Sequence, residues 1–568
     1  MQKTIIKPNY DVIIIGSGIS GLTSAALLSK AGLSICVLEM ESKPGGYLAG
    51  YSRKNFRFET AIHWLNQCGP EGIVSKVFNL IGSDYPKAKS QTRIRRLTGD
   101  KFDYLLTNNP DELKNKLIAD FPHEKKGIQK FFNSAKKIGK SLDNFNKLFR
   151  SQKTMSFLEK VHHKLKILHF ALPFIPYVRY TGDKGVTKGL NRFFKDKGLH
   201  QIFCSEPDLL SCLIPIAWAY FGDYQIPPTG GSKIFPEWLS YVVNYYNNSI
   251  FFKCKVTKIL LEENKCKGVT FEHQGIEHEV NSSYVIAACD VETLYEKMLP
   301  ADTISSKLQN KLKNAILYSS AVTVSLGLDC PSEDLGFDEE LIYLSRNDLQ
   351  KKEQVSGNPE KSRIIILASS IRDESLAPKN HGTLTIFIPA FIDYNNYWLT
   401  GKDENGNFIR GEEYKKLKSE CAEIMIDRVE EKIAPGLKDH ILFYDVATPI
   451  TYWRYTGNKN GSMMGAKPCR ENFQAKIAHY QTPVSNLLLS GHWADLGGGV
   501  PIAVKSAVNT TLLILKNKNK KAFKLLANYI DGKARPDEIN SSSCFKPYDN
   551  SWVQELTSDQ KDAMYTRS

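Results

Sequence analysis

Long hydrophobic runs are missing from this chain. Its two most apolar stretches, 167–178 and 209–221, are short and contain proline, whereas a helix that crosses a bilayer needs about 20 apolar residues. The eleven cysteines are an odd number without any CxxC pair, which argues against a disulfide framework. No spacing of histidine, cysteine and acidic residues is typical of a metal site, and no nucleic-acid-binding motif is present. We therefore expect neither a metal nor a nucleic-acid partner.

Length and composition allow two or three domains with large cores, since the chain has 568 residues, 42% of them hydrophobic. Fewer than a dozen residues separate Met1 from the first apolar, β-branched run. We therefore expect no signal peptide. Scattered unpaired cysteines are typical of a reducing compartment. These features predict a cytoplasmic protein.

A GxGxxG motif, made by Gly16, Gly18 and Gly21, directly follows an apolar strand near the N terminus. The first glycine permits a tight turn, the second lets a diphosphate approach the backbone, and the third lets helix and strand pack closely. The helix that follows points unpaired N–H groups at the diphosphate. A second strand, 34–38, ends at Glu39, where an acid accepts hydrogen bonds from ribose hydroxyls. Strand, glycines, helix, strand and acid stand in register and predict a dinucleotide site.

A double glycine, Gly45-Gly46, follows Glu39 closely and stands two residues after Lys43. It brings a second backbone segment against the diphosphate, which suits a buried FAD better than an exchanging nicotinamide. The chain contains a single GxGxxG motif, so we expect no second dinucleotide domain for NAD(P)H. Electrons then reach or leave the flavin through oxygen, a quinone or a separate reductase.

A second glycine-rich motif, 487–501, lies near the other end of the chain. An apolar strand leads into Gly491-His492, the triplet 497–499 follows, and Pro501 suits the first turn of a helix. The partial positive charge of that helix N terminus stabilises an anionic reduced flavin. One cofactor held by both ends of the chain predicts a discontinuous nucleotide domain with insertions between its parts.

On these residues the chain resembles the flavoprotein superfamily of phytoene desaturases, carotenoid isomerases and retinol saturases. The run 45–64 is similar to the family's segment after the ribose acid, and the retinol saturase branch has a stretch similar to Phe58-Glu-Thr-Ala-Ile-His63. Many relatives carry arginine after the double glycine, where this chain has Tyr47. The resemblance covers the cofactor domain well and the substrate domain poorly, and it extends over 10–65, 225–295, 320–345 and 440–515.

The motifs and the resemblance together predict the cofactor-binding residues. In relatives a valine at the place of Val256 holds the adenine through its backbone. The predicted set is Gly16, Ser17, Gly18, Ile19, Ser20, Gly21, Glu39, Met40, Lys43, Gly45, Gly46, Val256, Gly491, His492, Gly498, Gly499 and Val500.

Glu59 and His63 are the candidate catalytic residues. They lie on the segment that is expected to pass beneath the flavin, where they move protons to the carbon next to the hydride position. The alternative is structural: Glu59 is then a hydrogen-bond acceptor and His63 a packed ring.

The resemblance implies an α/β fold, in which a discontinuous Rossmann-like FAD-binding domain carries an inserted α+β substrate domain, as in amine oxidases and phytoene desaturases. We assign residues 1–100, 225–300 and 440–515 to the FAD-binding domain. Residues 101–224 and 301–439 form the substrate and membrane-facing domain. The polar C-terminal tail, 516–568, is expected to be loosely ordered from Asp531.

Nearly all of the net charge of +14 lies between residues 121 and 200, which hold 18 basic and 5 acidic residues, whereas the rest of the chain sums to +1. From Ile128 to Phe149 apolar residues recur every three or four positions, which predicts an amphipathic helix with lysines on its other face. The apolar stretch 167–178 follows. Three surroundings of this basic region stay open. Its lysine face is solvated on a substrate-domain helix, or it docks on an anionic membrane and makes the protein peripheral, or it binds an acidic acyl-carrier protein.

Three functions remain open. The first is an FAD-dependent oxidoreductase acting on carbon–carbon double bonds of a polyene or isoprenoid lipid, as a saturase, a desaturase or a cis–trans isomerase, with a separate electron donor or acceptor. The second is the same chemistry on an unsaturated fatty acyl chain, including one on a carrier. The third is a non-catalytic prenyl-lipid binder of the Rab-escort type. An amine oxidase is disfavoured by the lipid-facing character of the insertion.

Overall fold

The computed structural model describes residues 6–203, 205–346, 348–349, 352–404, 406–549 and 551–552. The strands are β1 (Asn9–Ile15), β2 (Ile35–Leu38), β3 (Tyr51–Arg53), β4 (Phe56–Phe58), β5 (Lys89–Ser90), β6 (Arg93–Gly99), β7 (Phe102–Thr107), β8 (Gln225–Ile226), β9 (Ser249–Phe251), β10 (Cys254–Glu262), β11 (Lys265–His273), β12 (Ile276–Ala287), β13 (Ser320–Leu328), β14 (Leu341–Leu344), β15 (Ile364–Leu367), β16 (Gly382–Ala390), β17 (Gly401–Lys402), β18 (Phe408–Ile409), β19 (Ile441–Ala447) and β20 (Leu487–Leu489).

The helices are α1 (Ile19–Lys30), α2 (Ile73–Ile81), α3 (Pro110–Asp120), α4 (Lys125–Asp143), α5 (Phe157–Ala171), α6 (Gly182–Leu190), α7 (Lys197–Ile202), α8 (Leu209–Tyr220), α9 (Ile234–Tyr245), α10 (Ser306–Lys313), α11 (Ser369–Arg372), α12 (Tyr394–Leu399), α13 (Glu412–Lys432), α14 (Pro449–Thr456), α15 (Arg470–Ala475), α16 (Gly499–Lys518), α17 (Lys520–Ile530) and α18 (Pro536–Asn540). Of these, α12 is a left-handed turn, because Asn395, Asn396, Tyr397 and Trp398 have positive φ. Among the described helices, none is long and apolar enough to cross a membrane.

The first sheet has the order β10-β11-β12-β1-β2-β9, and β20 pairs with β12. Around β1 the neighbouring strands are parallel, whereas β10, β11 and the first half of β12 form an antiparallel meander. The apolar residues of β1 and β2 are buried, as expected for parallel strands covered on both faces. Helix α1 contacts both α9 and α16, so that the two ends of the chain share one core.

The second sheet has the order β19-β13-β16-β15-β14-β6-β7. Successive residues of a strand point to opposite faces, so each strand supplies two layers. Ile342, Ile364 and Ile366 pack towards the core shared with α13. On the other face Tyr343 and Leu367 lie in a smaller apolar cluster. That second face borders the candidate site.

Strands β6 and β19 belong to the second sheet, although the sequence analysis placed both stretches with the nucleotide domain. Strand β6 pairs in parallel with β14, and β19 pairs with β13. Their partners lie far away in the chain, and an apolar pattern by itself does not identify which sheet a strand joins.

The amphipathic pattern of the basic insertion forms α4, which ends at Asp143 rather than continuing to Phe149. The side-chain amide of Asn144 donates to the carbonyl of Lys140 and so satisfies a terminal carbonyl. The apolar stripe of α4, from Ile128 to Ile138, is buried in a helical core with α8. The lysines of α4 therefore cover a packed helix.

The C-terminal tail was expected to be loosely ordered from Asp531, and the structure contradicts this over the described part. Helices α17 and α18 pack on the first core, and Phe545 and Trp552 are buried there. The hydroxyl of Tyr548 donates to Asp84 at 2.9 Å. A few spaced aromatic residues thus anchor an otherwise polar segment. Residues 553–568 lie outside the described part of the chain.

A buried serine cluster joins the two glycine-rich motifs. The hydroxyl of Ser20 lies 2.6 Å from that of Ser490 and 2.9 Å from that of Ser506. The backbone N–H of Gly491 donates to Ser506 Oγ at 2.7 Å. Residues some 470 positions apart are thus hydrogen-bonded inside one core.

We expect Ser506→Ala to lower the free energy of unfolding by about 2 kcal/mol, because the Gly491 N–H loses its acceptor in a buried place. Urea denaturation measures this change. The exposed Ser52→Ala is the control and should leave the midpoint unchanged. An unaltered midpoint for Ser506→Ala would show that the cluster does not stabilise the junction.

Candidate functional site

The turn between β1 and α1, residues 16–21, forms one wall of the site. Gly16 has φ +97°, a conformation that favours glycine. A Cβ on Gly21 would overlap the carbonyl of Gly16, so this glycine is required by the packing of the turn itself. A Cβ on Gly18 would meet no heavy atom within 4 Å, and its φ of −65° suits any residue. The protein's own packing thus gives no reason for glycine at 18, whereas a ligand lying on that backbone does.

Glu39 closes β2 beside this turn and is buried. Its carboxylate accepts from the Ser17 N–H and hydroxyl, both at 2.7 Å, and from the Glu41 N–H at 2.9 Å. A carboxylate has about four acceptor sites, so Glu39 can fix the turn and still accept from a further donor. The interaction with Ser17 is one that the motif alone does not predict.

The double glycine lies against the turn, as the sequence analysis expected. Gly45 N–H donates to the Ser17 carbonyl at 3.0 Å, and Gly45 forms an isolated parallel bridge with Gly18. A Cβ on Gly46 would lie 3.6 Å from Gly18 Cα. Two backbone segments therefore meet around the open position at Gly18.

The remaining N-terminal candidates differ in burial and in the contacts that they make. Met40 is exposed, and the ammonium group of Lys43 donates to the Gly50 carbonyl at 2.6 Å. Val256 is buried in β10, and two residues before it the Cys254 N–H donates to the Glu39 carbonyl at 2.8 Å. The start of β10 therefore lies beside the ribose acid, where the resemblance placed it.

The C-terminal candidates also meet the turn. A Cβ on Gly491 would lie 4.0 Å from Ser20 Cβ, and the next residue, His492, has its pKa lowered to about 4 by burial. Helix α16 begins at Gly499, and Val500 is buried. The space in which the cofactor was predicted to approach Gly498 is occupied by the side chain of Met464, which a Cβ on Gly498 would overlap.

Met464 is a residue that the sequence analysis missed. A ring system held against the N terminus of α16 requires this thioether side chain to move, which its three rotatable bonds permit. The diphosphate end of the predicted site is therefore open as it stands, and the ring end is bounded by a flexible side chain. The residues present fit a dinucleotide-type cofactor.

Glu59 follows the short hairpin of β3 and β4, which returns the chain to the double-glycine segment. A Cβ on Gly50 would lie 3.1 Å from the Phe58 carbonyl. The Glu59 carboxylate accepts from the Ser232 N–H at 2.7 Å and from the Ser232 hydroxyl. Burial raises the pKa of Glu59 to about 7, against the lowering effect of the Ser232 hydrogen bonds. This carboxyl therefore exchanges its proton near neutral pH.

His63 lies on the same segment and is partly buried. Its ring stacks on Phe387 of β16, with centroids 4.1 Å apart and planes at 6°. Burial, and secondly the charge of Arg372, lower the pKa of His63 to about 3. Nδ1 is buried and has no partner among the described residues. His63 is thus a neutral ring at neutral pH.

Arg372 was not identified from the sequence. Its guanidinium donates to the backbone carbonyls of His63 and Glu339, each at 2.6 Å, while Nη2 is buried without a partner among the described residues. Burial lowers the pKa of Arg372 to about 10. The side chain clamps the segment that carries both candidate catalytic residues.

Glu59, His63 and Arg372 border one small cavity whose other walls are mainly apolar. The walls come from residues 59–63 directly after β4, residues 226–231, the end of β15, and α11 with the turn that follows it. Ser232 follows Gly230-Gly231, a second pair of glycines, and this pair was the available sequence signal for it. Glycine at 231 keeps room for Glu59, whose Oε1 would lie 2.7 Å from a Cβ there.

Comparisons with known proteins first define the class. Residues 14–80 match the model of an NAD(P)-binding Rossmann-like domain. An oxidoreductase structure from Methanosarcina mazei aligns over 89% of this chain and 100% of its own, with a TM-score of 0.55 and 17% identity. A putrescine oxidase structure aligns over 90% and 99%, with a TM-score of 0.54 and 14% identity. The molecule therefore has an amine-oxidase-like oxidoreductase fold built on a Rossmann-like domain, which confirms the predicted fold class.

Sequence relatives then narrow the family. The all-trans-retinol 13,14-reductase of Danio rerio is 24% identical over 93% of this chain and 90% of its own length. Prolycopene isomerase 2 of an Oncidium hybrid is 24% identical over 80% and 75%, and 1-hydroxycarotenoid 3,4-desaturase of a Flavobacterium is 24% identical over 88% and 98%. These relatives support the resemblance to the superfamily of phytoene desaturases, carotenoid isomerases and retinol saturases that the motifs indicated.

Proposed function

We propose that this protein is an FAD-dependent oxidoreductase that acts on carbon–carbon double bonds of a hydrophobic polyene or isoprenoid lipid. The observation that carries the proposal is the course of residues 45–59. This segment begins at Gly45, which lies against the open turn at Gly18, and it ends at the buried acid Glu59, which borders a mainly apolar cavity. The named activities of the relatives, on retinol, prolycopene and a hydroxycarotenoid, support this substrate class.

FAD, when bound, supplies or removes a hydride at one carbon of such a bond. The neighbouring carbon then needs to gain or lose a proton, and Glu59 is placed for that transfer. Its pKa of about 7 is near the value at which a group gives and takes protons most effectively in neutral solution. The two hydrogen bonds from Ser232 hold the carboxyl in one orientation.

His63 has a different role in this proposal. With a pKa of about 3 it carries no exchangeable charge at neutral pH. Its stacking on Phe387 makes it part of the wall that keeps water away from Glu59. Arg372 holds the His63 backbone and thereby positions the segment.

Saturation, desaturation and isomerisation share this arrangement and differ in the electron partner. We propose a separate electron donor or acceptor. An unsaturated fatty acyl substrate, free or on a carrier, and non-catalytic binding of a prenyl lipid are the alternatives that the experiment must separate.

The experiment has two arms. In the first, lipids extracted from the purified protein are identified by mass spectrometry. In the second, the protein is incubated without oxygen with a polyene and with an unsaturated fatty acid. One sample is chemically reduced, which allows saturation and isomerisation, and another is oxidised and supplied with a quinone as electron acceptor, which allows desaturation. The proposal expects a co-purified polyene or isoprenoid and a polyene product altered in saturation or geometry. Turnover of the fatty acid alone would move the assignment to the acyl substrate. A bound prenyl lipid without any product would assign a binding protein.

A further inference from the structure

Exposed apolar side chains are concentrated on one short part of this protein. Among the described residues, twenty large hydrophobic side chains are exposed, and nine of them lie between residues 157 and 178. This stretch comprises α5 and the proline-containing turn after it. Contiguous exposed apolar surface of this kind marks an interaction site.

One side of α5 carries a row of exposed apolar residues that continues to the residue after the helix. We call this row the outer stripe: Phe157, Val161, Leu165, Leu168 and Leu172. They follow one another at steps of three or four residues, so they lie on one side of the helix. Their exposed fractions run from 47% for Val161 to 78% for Phe157. An amphipathic helix normally turns such a stripe towards the core, and here it is turned outwards.

The other side of α5 is fixed to the protein. His163, on the face opposite the outer stripe, is buried. Arg150 holds Glu159 at 3.1 Å and Asp531 at 2.6 Å. The turn after the helix is fixed by the Tyr177 hydroxyl, which donates to Ser134 at 2.9 Å. The outer stripe is therefore presented by an anchored helix.

Basic residues flank the outer stripe. Lys160 and Lys164 lie along one edge, Lys166 lies on the other side, and Arg179 follows the turn. The one acidic residue of the helix, Glu159, is already engaged by Arg150. The methylene chain of a lysine lies along apolar surface while its charged end reaches polar groups. This arrangement matches a lipid bilayer, whose apolar interior is covered by anionic head groups.

We infer that the outer stripe and its lysines form the surface on which the protein inserts into an anionic lipid bilayer, with α5 lying in the plane of the interface. A second copy of the chain fits less well, since pressing two outer stripes together brings lysine rows of equal charge against each other. The inference goes beyond the proposed chemistry and does not depend on it. The sequence analysis expected such a surface from the lysines of α4 together with the apolar stretch 167–178, and the structure moves it to α5, since α4 is packed in a core.

The test is co-sedimentation of the full-length protein with vesicles of phosphatidylcholine, with and without phosphatidylserine. We expect binding to the anionic vesicles that weakens as salt is added. The double variant Phe157→Ser/Leu165→Ser should bind them at least about tenfold more weakly, because it removes two insertable side chains. Lys160→Gln/Lys164→Gln should lose the preference for phosphatidylserine.

The matched control is Ile276→Ser/Phe473→Ser, which removes two exposed apolar side chains of similar size elsewhere and should bind as the wild type does. Lys160 is half-buried and the other substituted residues are exposed, and circular dichroism checks the folding of every variant. A wild type that stays in solution, or a stripe variant that binds unchanged, would overturn the inference. So would a wild-type dimer that the stripe variant dissociates, or binding of an acidic carrier protein in place of vesicles. Flavin content and turnover in detergent, measured in parallel, keep this outcome separate from that of the proposed chemistry.

Discussion

Gly18→Val should yield a folded protein that has lost most of its bound flavin. A Cβ at this position meets no atom of the protein within 4 Å, and the φ of −65° accommodates valine. The added side chain instead occupies the space in which a diphosphate would approach the backbone. We expect the bound flavin per chain to fall by at least about tenfold, measured by absorption after gel filtration. Retained flavin at normal stoichiometry would refute the assignment of the turn.

Gly411→Val is the matched control for this variant. Gly411 also precedes a helix, has φ −72° and ψ −172°, and leaves a Cβ with no neighbour within 4 Å. It lies at the exposed start of α13. The two variants thus make the same backbone and side-chain change, and after removal of flavin they should unfold at similar denaturant concentrations, since a bound ligand would itself add stability. A difference in flavin content between them then reports on the site alone.

Glu59→Gln should leave flavin binding intact and reduce turnover by a factor of about 10² to 10⁴, the usual contribution of a positioned acid or base. Glutamine preserves the shape of the side chain and its contact with Ser232, but it neither gives nor takes a proton. The measurement is anaerobic single-turnover kinetics with the polyene substrate. Unchanged turnover would leave Glu59 as a structural hydrogen-bond acceptor.

The pH dependence gives an independent readout of Glu59. Its pKa is raised from 4.5 to about 7, so the wild-type rate should change around pH 7. The rate falls with rising pH if the reaction donates a proton, as in saturation, and rises if it removes one, as in desaturation. This change in rate around pH 7, the limb of the pH profile that Glu59 produces, should be missing in Glu59→Gln. A limb that persists in the variant would assign the titration to another group.

The free energy of unfolding should also depend on pH through the titration of Glu59. Because the folded state keeps the Glu59 proton up to about pH 7 while the unfolded chain loses it near 4.5, the free energy of unfolding falls as the pH rises through this window. Glu59→Gln should lack that contribution. Glu237→Gln is the control, since Glu237 is a buried glutamate on α9 that does not border the cavity.

The glycine turn is the part of the site that the sequence predicts best, because its determinants are local. The strand, the turn and α1 arise from neighbouring residues, and Gly16 and Gly21 are required by the turn itself. The position of Gly45 beside Gly18 also followed from a short loop. Spacing and residue type were sufficient for these features.

Non-local contacts escaped the sequence analysis. Ser20 meets Ser506 across the whole chain, and Met464 covers Gly498 from another loop. Arg372 reaches the His63 carbonyl from α11, which follows β15. None of these partners carries a motif, because a serine, a methionine or an arginine is informative only once tertiary packing has brought it to its place.

The basic insertion illustrates the same limit. Periodicity predicted the amphipathic helix α4 but not α5, and it does not say whether an apolar stripe packs against the protein or faces outwards. In the structure the stripe of α4 is buried in a helical core, whereas that of α5 is exposed. The C-terminal segment shows the opposite error: its polar composition predicted loose order, but two buried aromatic residues, Phe545 and Trp552, hold it against the protein.

The central claim is that both ends of the chain close around one flavin. The most direct measurement is the visible spectrum of the purified, full-length protein before and after anaerobic reduction. Our account predicts a yellow protein with one flavin per chain, whose absorption bleaches on reduction and returns on reoxidation. A colourless protein that takes up no FAD when this is added in excess would contradict it.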